Sequence, residues 1–202
     1  YGGEHPRVEA STRIYANLPN GPRIVTEHWD DQLPLPRPGD PHLPFELAEL
    51  QVFERENLAK RTHLIDTLSS ADALILASDR GLGTIPGMPQ RYPLAGRYYQ
   101  ALLNGELGFR LAAEFESRPS LGPWTIDDSG AEEAFTVYDH PRVSAYVREA
   151  TDVAKLVTRS LQSIDERGAI QVLPRVAVAA PIDLTPEKAE IVRHEASWPE
   201  VY

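Results

Sequence analysis

A short apolar run, Ala73 to Ser78, constrains the fold of this chain more than any other segment. Its length and its apolar residues favour a buried strand. Apolar residues recur at helical spacing on both sides of the run, up to Leu68 before it and from Leu94 to Leu102 after it. A buried strand between two helices is typical of a layered α/β domain.

The rest of the chain continues this alternation of helices and strands. Apolar periodicity predicts helices over 8–18, 94–102, 151–168 and from Thr185, and one broken or two consecutive helices over 47–68. Strands are predicted over 23–29, 73–78, 109–115, 134–138 and 143–147, with an edge strand over 171–180. Five prolines between 34 and 44 exclude a helix there, and the glycine- and proline-rich residues 81–93 predict a loop.

These elements predict an α/β fold, a layered domain with a small mixed sheet flanked by helices. The sheet is expected to be mixed because the strands over 134–138 and 143–147 can form an antiparallel hairpin. We expect the core domain to span residues 1–148. A C-terminal helical extension, residues 149–202, is expected to pack on this core as part of a single structural unit.

Charge and composition exclude several classes of function. The 202 residues carry a formal net charge of −10, which argues against nucleic acid because phosphate binding relies on Lys and Arg. The lack of cysteine excludes disulfides, thiolate metal sites and cysteine nucleophiles. No apolar run approaches the roughly 18 residues that span a bilayer. Since the chain starts at Tyr1 and its only methionine is Met88, we expect a piece cut from a larger protein.

The richest polar cluster is Glu27-His28-Trp29-Asp30-Asp31, at the end of the first predicted strand. Binding sites are often built at strand ends in open α/β sheets. His28 and Asp30 could supply two metal ligands. Trp29 beside carboxylates suits a sugar, whose C–H face stacks on the ring while its hydroxyls bind the acids. The pattern favours a plain turn, in which Asp30 and Asp31 cap the loop and Trp29 fills the core.

Two further groups of residues are candidates for a ligand surface. In Tyr138-Asp139-His140 the aspartate could orient the imidazole for acid–base chemistry, although a turn between two strands is the favoured interpretation here too. Asp79 and Arg80, which follow the buried strand, are either an ion pair or a ligand contact.

The chain contains no complete catalytic motif. The segment from Gly81 to Gly87 only approximates a dinucleotide-binding fingerprint, because its third glycine is displaced and Pro86 interrupts the helix that would hold a pyrophosphate. The six histidines show no compact metal-binding spacing. We therefore expect neither a metal nor a cofactor, and the sequence leaves open whether the chain is an enzyme.

Several phrases, taken in order, resemble one large family. They are His5-Pro6-Arg7-Val8-Glu9-Ala10-Ser11, Thr26-Glu27-His28-Trp29-Asp30-Asp31-Gln32-Leu33-Pro34, Ala71-Asp72-Ala73-Leu74-Ile75-Leu76-Ala77-Ser78, Gln90-Arg91-Tyr92-Pro93-Leu94, Gly105-Glu106-Leu107-Gly108-Phe109, Phe135-Thr136-Val137-Tyr138-Asp139-His140-Pro141-Arg142-Val143, and Leu184-Thr185-Pro186-Glu187 followed by Ser197-Trp198. Together they resemble the extracytoplasmic segment of polytopic GT-C-type glycosyltransferases, the dolichyl-phosphate-mannose protein mannosyltransferase-like proteins. They are equally similar to the related segment of the YYY membrane proteins.

This resemblance implies a place and a set of partners for the chain. It implies a soluble domain on the extracytoplasmic face of the cell membrane, whose partners are the membrane-embedded part of the same polypeptide and a glycan or protein acceptor. The catalytic carboxylates of such transferases lie in an early loop that this chain does not contain, so the resemblance assigns no catalytic residue. The run Glu195-Ala196-Ser197-Trp198 departs from the Gly-Gly-Thr-Trp often found in related segments.

Three functions remain open at this point. The leading hypothesis is a non-catalytic accessory domain that positions the acceptor or glycan of a membrane glycosyltransferase. A structural or interaction domain of a membrane protein is the alternative. A metal-dependent hydrolase is the third, and it requires His28, Asp30 and either Asp139 or His140 to converge.

Overall fold

Residues 5–18, 21–37, 39, 44–117, 120–121, 124–125 and 141–170 are described by a computed structural model. The predicted strands over 134–138 and 171–180 and the predicted helix from Thr185 lie outside these residues. None of the helices in the described ranges is long and apolar enough to cross a bilayer.

Helices and strands alternate along the described chain as the sequence predicts. The helices are α1 (Pro6–Asn17), α2 (Leu58–Ser70), α3 (Arg80–Thr84), α4 (Pro93–Leu103) and α5 (Val153–Leu161). The strands are β1 (Arg23–Glu27), β2 (Glu46–Leu50), β3 (Ala73–Leu76), β4 (Phe109–Phe115), β5 (Ser120–Leu121), β6 (Trp124–Thr125) and β7 (Val143–Arg148). Two 3₁₀ turns follow α3 and α5, at Ile85–Gly87 and Glu166–Gly168.

Five of the strands form one mixed sheet in the order β2-β1-β3-β7-β4. Strand β1 pairs in parallel with β2 on one side and with β3 on the other. Strand β7 is antiparallel to both of its neighbours, β3 and β4. The α/β fold with a mixed sheet flanked by helices is thereby confirmed. Because β1 and β3 are parallel neighbours, their carboxyl ends lie side by side at one edge of the sheet.

Helices cover both faces of this sheet. Helix α1 lies on one face, where Ala10 and Ile14 pack against Ile24 and Ile75 of the sheet. The proline-rich connection from β1 to β2 completes this layer, since Leu35 N donates to Ser11 Oγ at 2.9 Å. Helices α2, α4 and α5 cover the other face, and their buried residues include Leu64, Leu68, Tyr98, Leu102, Val157 and Leu161.

A buried ion pair ties the start of α2 to the start of α4. Lys60 Nζ donates to Glu56 Oε1 at 2.6 Å, and both side chains are almost completely buried. Glu56 Oε2 also accepts from the backbone N–H of Leu94 at 2.9 Å, in the first turn of α4. A carboxylate at this position is favourable because the first N–H groups of a helix have no intrahelical partner. Asn57 begins α2 in the same way, with its side chain accepting from Lys60 N at 2.8 Å.

Two predicted elements are wrong. Of the one broken or two consecutive helices predicted over 47–68, only α2 is present, beginning at Leu58, and Glu46–Leu50 is instead the edge strand β2. Pairing with β1 decides this segment, because His28 N donates to Leu50 O at 3.0 Å and Glu46 N donates to Pro22 O at 3.1 Å. Tertiary pairing thus overrides the helix-like spacing of Leu47 and Leu50. The loop predicted over 81–93 begins within the short helix α3, Arg80–Thr84, which ends before Pro86.

Candidate functional site

The carboxyl ends of β1 and β3 gather most of the described side chains that the sequence singles out. Glu27 is the last residue of β1 and residues 28–31 follow it, while residues 78–80 come shortly after the end of β3. Together with Arg7 from the start of α1 and Arg142 from just before β7, they form what we call the carboxyl-edge cluster. Ligands of open α/β sheets commonly bind outside the carboxyl ends of the strands. Tyr138, Asp139 and His140, the remaining candidates, lie outside the described residues.

The side chain of Asp30 lies at the centre of the carboxyl-edge cluster and is almost completely buried. It accepts a 2.6 Å hydrogen bond from Ser78 Oγ, which joins the end of β1 to the end of β3. Two guanidinium groups, those of Arg7 and Arg80, lie 4.0 and 3.9 Å from Asp30 Oδ1. A buried carboxylate needs this many partners because its charge is costly to remove from water. Asp30 therefore organises the cluster from inside.

Arg7 extends this network to Asp31 and to the sheet. Its Nη1 donates to Asp31 Oδ2 at 2.6 Å, and its Nε donates to Ala77 O at 3.3 Å. The Arg7 side chain is buried, whereas the Asp31 side chain is 62% exposed. Asp31 thus presents a carboxylate to solvent that is held in place by a buried cation.

Trp29 is the most exposed large apolar side chain in the cluster, at 66%. Its backbone has φ +75°, a left-handed conformation that a bulky residue rarely adopts. Arg80 Nη1 holds that conformation by donating to Trp29 O at 2.6 Å. The indole stacks on Phe53, with ring centroids 5.0 Å apart and planes 13° from parallel, and His28 packs edge-on against it at 5.2 Å.

The segment is a turn, as the favoured interpretation predicts, but the exposure of Trp29 overturns the prediction that this tryptophan fills the core. Strand β1 ends at Glu27, two residues earlier than predicted, so the left-handed turn directs the indole outward. His28 is anchored in the same turn, where its Nδ1 donates to Leu50 O at 3.0 Å. Asp30 likewise does not cap an exposed loop, because Ser78 and two arginines surround it.

Glu27 faces the interior and is buried beneath α4. Tyr98 donates to its Oε1 at 3.1 Å, and the Tyr99 hydroxyl lies against the same carboxyl group. Burial raises the pKa of Glu27 from 4.5 to about 8; the Tyr99 and Tyr98 hydroxyls oppose this shift and the nearby Asp30 and Asp79 add to it. Glu27 is therefore protonated at neutral pH and supports the cluster from below without reaching solvent.

Asp79 and Arg80, which the sequence leaves as either an ion pair or a ligand contact, bind different partners. Asp79 Oδ2 lies 2.8 Å from Arg142 Nη2, and both of these side chains are partly exposed. Partial burial raises the pKa of Asp79, an effect that the hydrogen bond from Arg142 opposes. Arg80 turns the other way, toward Asp30 and Trp29. The edge is thus a row of charged pairs beside an exposed indole.

The sequence does not single out Arg7, Phe53, Ser78, Tyr98, Tyr99 or Arg142 as site residues. Each comes from a segment well separated from Glu27–Asp31 in the chain, and none belongs to a catalytic or metal-binding motif. Only the parallel pairing of β1 with β3 could have indicated that Ser78 lies near Asp30, because it aligns their carboxyl ends.

A metal centre has no support from the described part of the chain. In that part no three His, Asp or Glu side chains are grouped so that they could hold a metal ion. His28 is turned toward Leu50 O, while Asp30 is enclosed by Ser78 and the arginines.

A separate open groove of about 540 Å³ lies between α1 and β4. Its floor is built from small and branched apolar residues of the sheet, and its rim is charged, with Arg13 and Arg110 among the rim residues. None of the residues predicted for the ligand surface lines this groove.

Comparisons of the chain with protein-family models, with curated proteins and with solved structures find no match. The resemblance to GT-C-type glycosyltransferases and YYY membrane proteins therefore stays a prediction.

Proposed function

We propose that this chain is a non-catalytic, extracytoplasmic accessory domain of a membrane-embedded, glycosyltransferase-like protein, and that its Trp29 surface positions a glycan or a glycan-bearing acceptor. The observation that carries the proposal is Trp29 itself, 66% exposed and held at φ +75° by a hydrogen bond from Arg80. An exposed indole in a strained backbone conformation is unfavourable for folding, which is why such residues point to a role in binding.

The surroundings of Trp29 suit a sugar. Phe53 stacks on one face of the indole and leaves the other face for a ligand. The C–H face of a pyranose ring can pack on an aromatic ring, while its hydroxyls need hydrogen-bond partners. Asp31, two residues away, supplies an exposed carboxylate that accepts from hydroxyls.

A positioning role fits the polar side chains of the cluster better than catalysis does. Asp30 accepts a hydrogen bond from Ser78 and lies close to the guanidinium groups of Arg7 and Arg80. The protonated Glu27 is buried and accepts a hydrogen bond from Tyr98. These contacts fix the shape of the surface and leave the buried acids without access to a bound ligand. The acid–base chemistry of the parent protein, in this proposal, is supplied by residues outside this chain.

The test is a titration of the ¹⁵N-labelled full chain with oligosaccharides, followed by NMR. We expect saccharides to shift the indole N–H signal of Trp29, and Trp29→Ala to weaken binding by about tenfold or more. Leu103→Ala is the matched control, because Leu103 is also exposed and lies at the end of α4.

Two results decide between this proposal and a purely structural domain. If Trp29→Ala weakens saccharide binding by about tenfold or more and leaves the melting temperature within a few degrees of the wild type, the proposal stands. If no saccharide binds the wild type and Trp29→Ala instead unfolds the chain, the aromatic pair of Trp29 and Phe53 is structural and the proposal is refuted.

A further inference from the structure

We propose that the Trp29 surface binds a single uncharged pyranose ring and discriminates against phosphorylated or carboxylated sugars. The inference rests on the proposed function and adds the chemical class of the ligand. Three features of the described residues support the inference. They are the single open face of the indole, the sign of the exposed charges nearby, and the pairing of the buried arginines with carboxylates of the chain itself.

The arrangement of the aromatic side chains leaves room for one ligand ring to stack on Trp29, and it does not enclose the ligand. Phe53 covers one indole face at 5.0 Å, and His28 meets the indole edge-on at 5.2 Å. Only one face remains for a ligand, whereas sites for quaternary ammonium groups surround the cation with several aromatic faces. A flat C–H surface on one side of a pyranose is the shape that a single open face accepts.

The exposed charged residues on the segments that carry Trp29 and Phe53 and near the end of β2 are mainly acidic. Asp31 is exposed beside Trp29, and Glu54 is exposed next to Phe53. Glu49, at the end of β2, is exposed as well and accepts from Gln32 at 3.5 Å. Arg55, which follows Glu54 in the chain, is also exposed and carries a positive charge. Glu49 and Glu54 disfavour an anionic ligand, and the hydroxyls of a neutral sugar can donate to exposed carboxylates; Asp31 adds less repulsion because it is paired with Arg7.

Arg7 and Arg80, the two arginines of the carboxyl-edge cluster that lie near Asp30, do not make the surface around Trp29 positively charged. The Arg7 and Arg80 side chains are 8% and 13% exposed, so they present little charge to solvent. Arg7 is directed at Asp30 and Asp31, and Arg80 at Asp30 and the Trp29 carbonyl. A phosphate-binding site presents its guanidinium groups to the ligand, whereas here they bind carboxylates of the chain itself.

The same contacts preorganise the indole. Arg80 holds the Trp29 backbone through its carbonyl, and Phe53 stacks on the indole, so less conformational freedom is left to lose on binding. Preorganisation of this kind matters most for a neutral ligand, which cannot draw on strong electrostatic attraction.

The experiment compares three ligands that share one hexose ring: its methyl pyranoside, its 6-phosphate and its uronic acid. Each is titrated against the full chain at low ionic strength, with the Trp29 indole N–H signal as the readout. We expect the methyl pyranoside to bind at least about fivefold more tightly than either anion, and we expect the difference to shrink at high salt. Glu49→Gln and Glu54→Gln remove two carboxylates and should reduce the difference in affinity between the methyl pyranoside and the two anions. Glu149→Gln is the control: Glu149 pairs with Arg110 of β4, the edge strand opposite β2, and its replacement should leave this difference unchanged.

The outcomes separate this inference from the proposed function. If the 6-phosphate or the uronic acid binds as tightly as the methyl pyranoside, this inference is overturned and the proposed function is retained. If no sugar of either kind shifts the Trp29 signal, the proposed function is overturned and this inference falls with it.

Discussion

Replacing the buried acid Glu27 with glutamine should stabilise the chain at neutral pH. Glu27 lies beneath the carboxyl-edge cluster, and burial raises its pKa from 4.5 to about 8. In the unfolded chain this carboxyl is ionised at pH 7, so folding must take up a proton. Glutamine is neutral in both states and has nearly the same shape. Its carbonyl oxygen can still accept from Tyr98, and its NH₂ group faces the Tyr99 hydroxyl.

The size of the effect follows from proton linkage. Below pH 4.5 Glu27 is protonated in both states, so its full contribution to stability is present there. Between pH 4.5 and about 8 only the unfolded chain loses this proton, and the wild type loses about 1.4 kcal/mol of stability per pH unit. At pH 7 the accumulated loss is about 3 kcal/mol. Glu27→Gln removes this loss, so the variant should match the wild type near pH 4 and exceed its stability by about 3 kcal/mol at pH 7.

Urea unfolding followed by circular dichroism at pH 4.5, 7 and 9 measures this difference. Glu149→Gln is the matched control, because Glu149 is exposed and its pairing with Arg110 at 3.2 Å is a surface ion pair. That control should change stability by less than about 0.5 kcal/mol at each pH. If Glu27→Gln is less stable than the wild type by the same amount at all three pH values, Glu27 is ionised in the fold and the reasoning is wrong.

Two other substitutions test the packing below the cluster, again by urea unfolding. Glu56→Gln leaves the buried Lys60 ammonium without its charged partner and should lower the free energy of unfolding by about 3 kcal/mol. Adding Lys60→Met should recover most of this loss. A loss below about 1 kcal/mol for Glu56→Gln would contradict the reasoning. Gly81→Ala places a Cβ against the Tyr99 hydroxyl and close to the Glu27 carboxyl group, and should cost about 2 kcal/mol. Adding Tyr99→Phe should relieve that cost, and no relief would mean that another contact is responsible.

The parts of the fold that could be predicted are those in which local pattern and tertiary packing agree. The apolar run of β3 and the helical spacing in α1, α4 and α5 each place apolar residues where the core requires them. Strand β2 could not be predicted, since Leu47 and Leu50 are three residues apart and the strand exists only through its pairing with β1. Helix α3 has five residues, too few for any periodicity to show.

The candidate site divides in the same way. Residues 27–31 and 79–80 are visible in the sequence because polar residues follow apolar strands. The conformation of Trp29 is not visible, because the residue that holds its carbonyl, Arg80, is 51 positions away. A tryptophan after a strand is ordinarily expected in the core, and only the left-handed backbone directs this one to the surface.

The end of β1 places two unfavourable residues almost side by side. Glu27 is buried and must stay protonated, while Trp29 is exposed with a left-handed backbone, a conformation that costs about 1–2 kcal/mol for a residue with a side chain. In the described part of the chain Trp29 is the non-glycine residue with positive φ. Side chains from α3 and α4 hold both residues in place. Conformational cost concentrated in this way is common at binding sites, and it favours the carboxyl-edge cluster over the groove beside α1 as the place where a ligand is held.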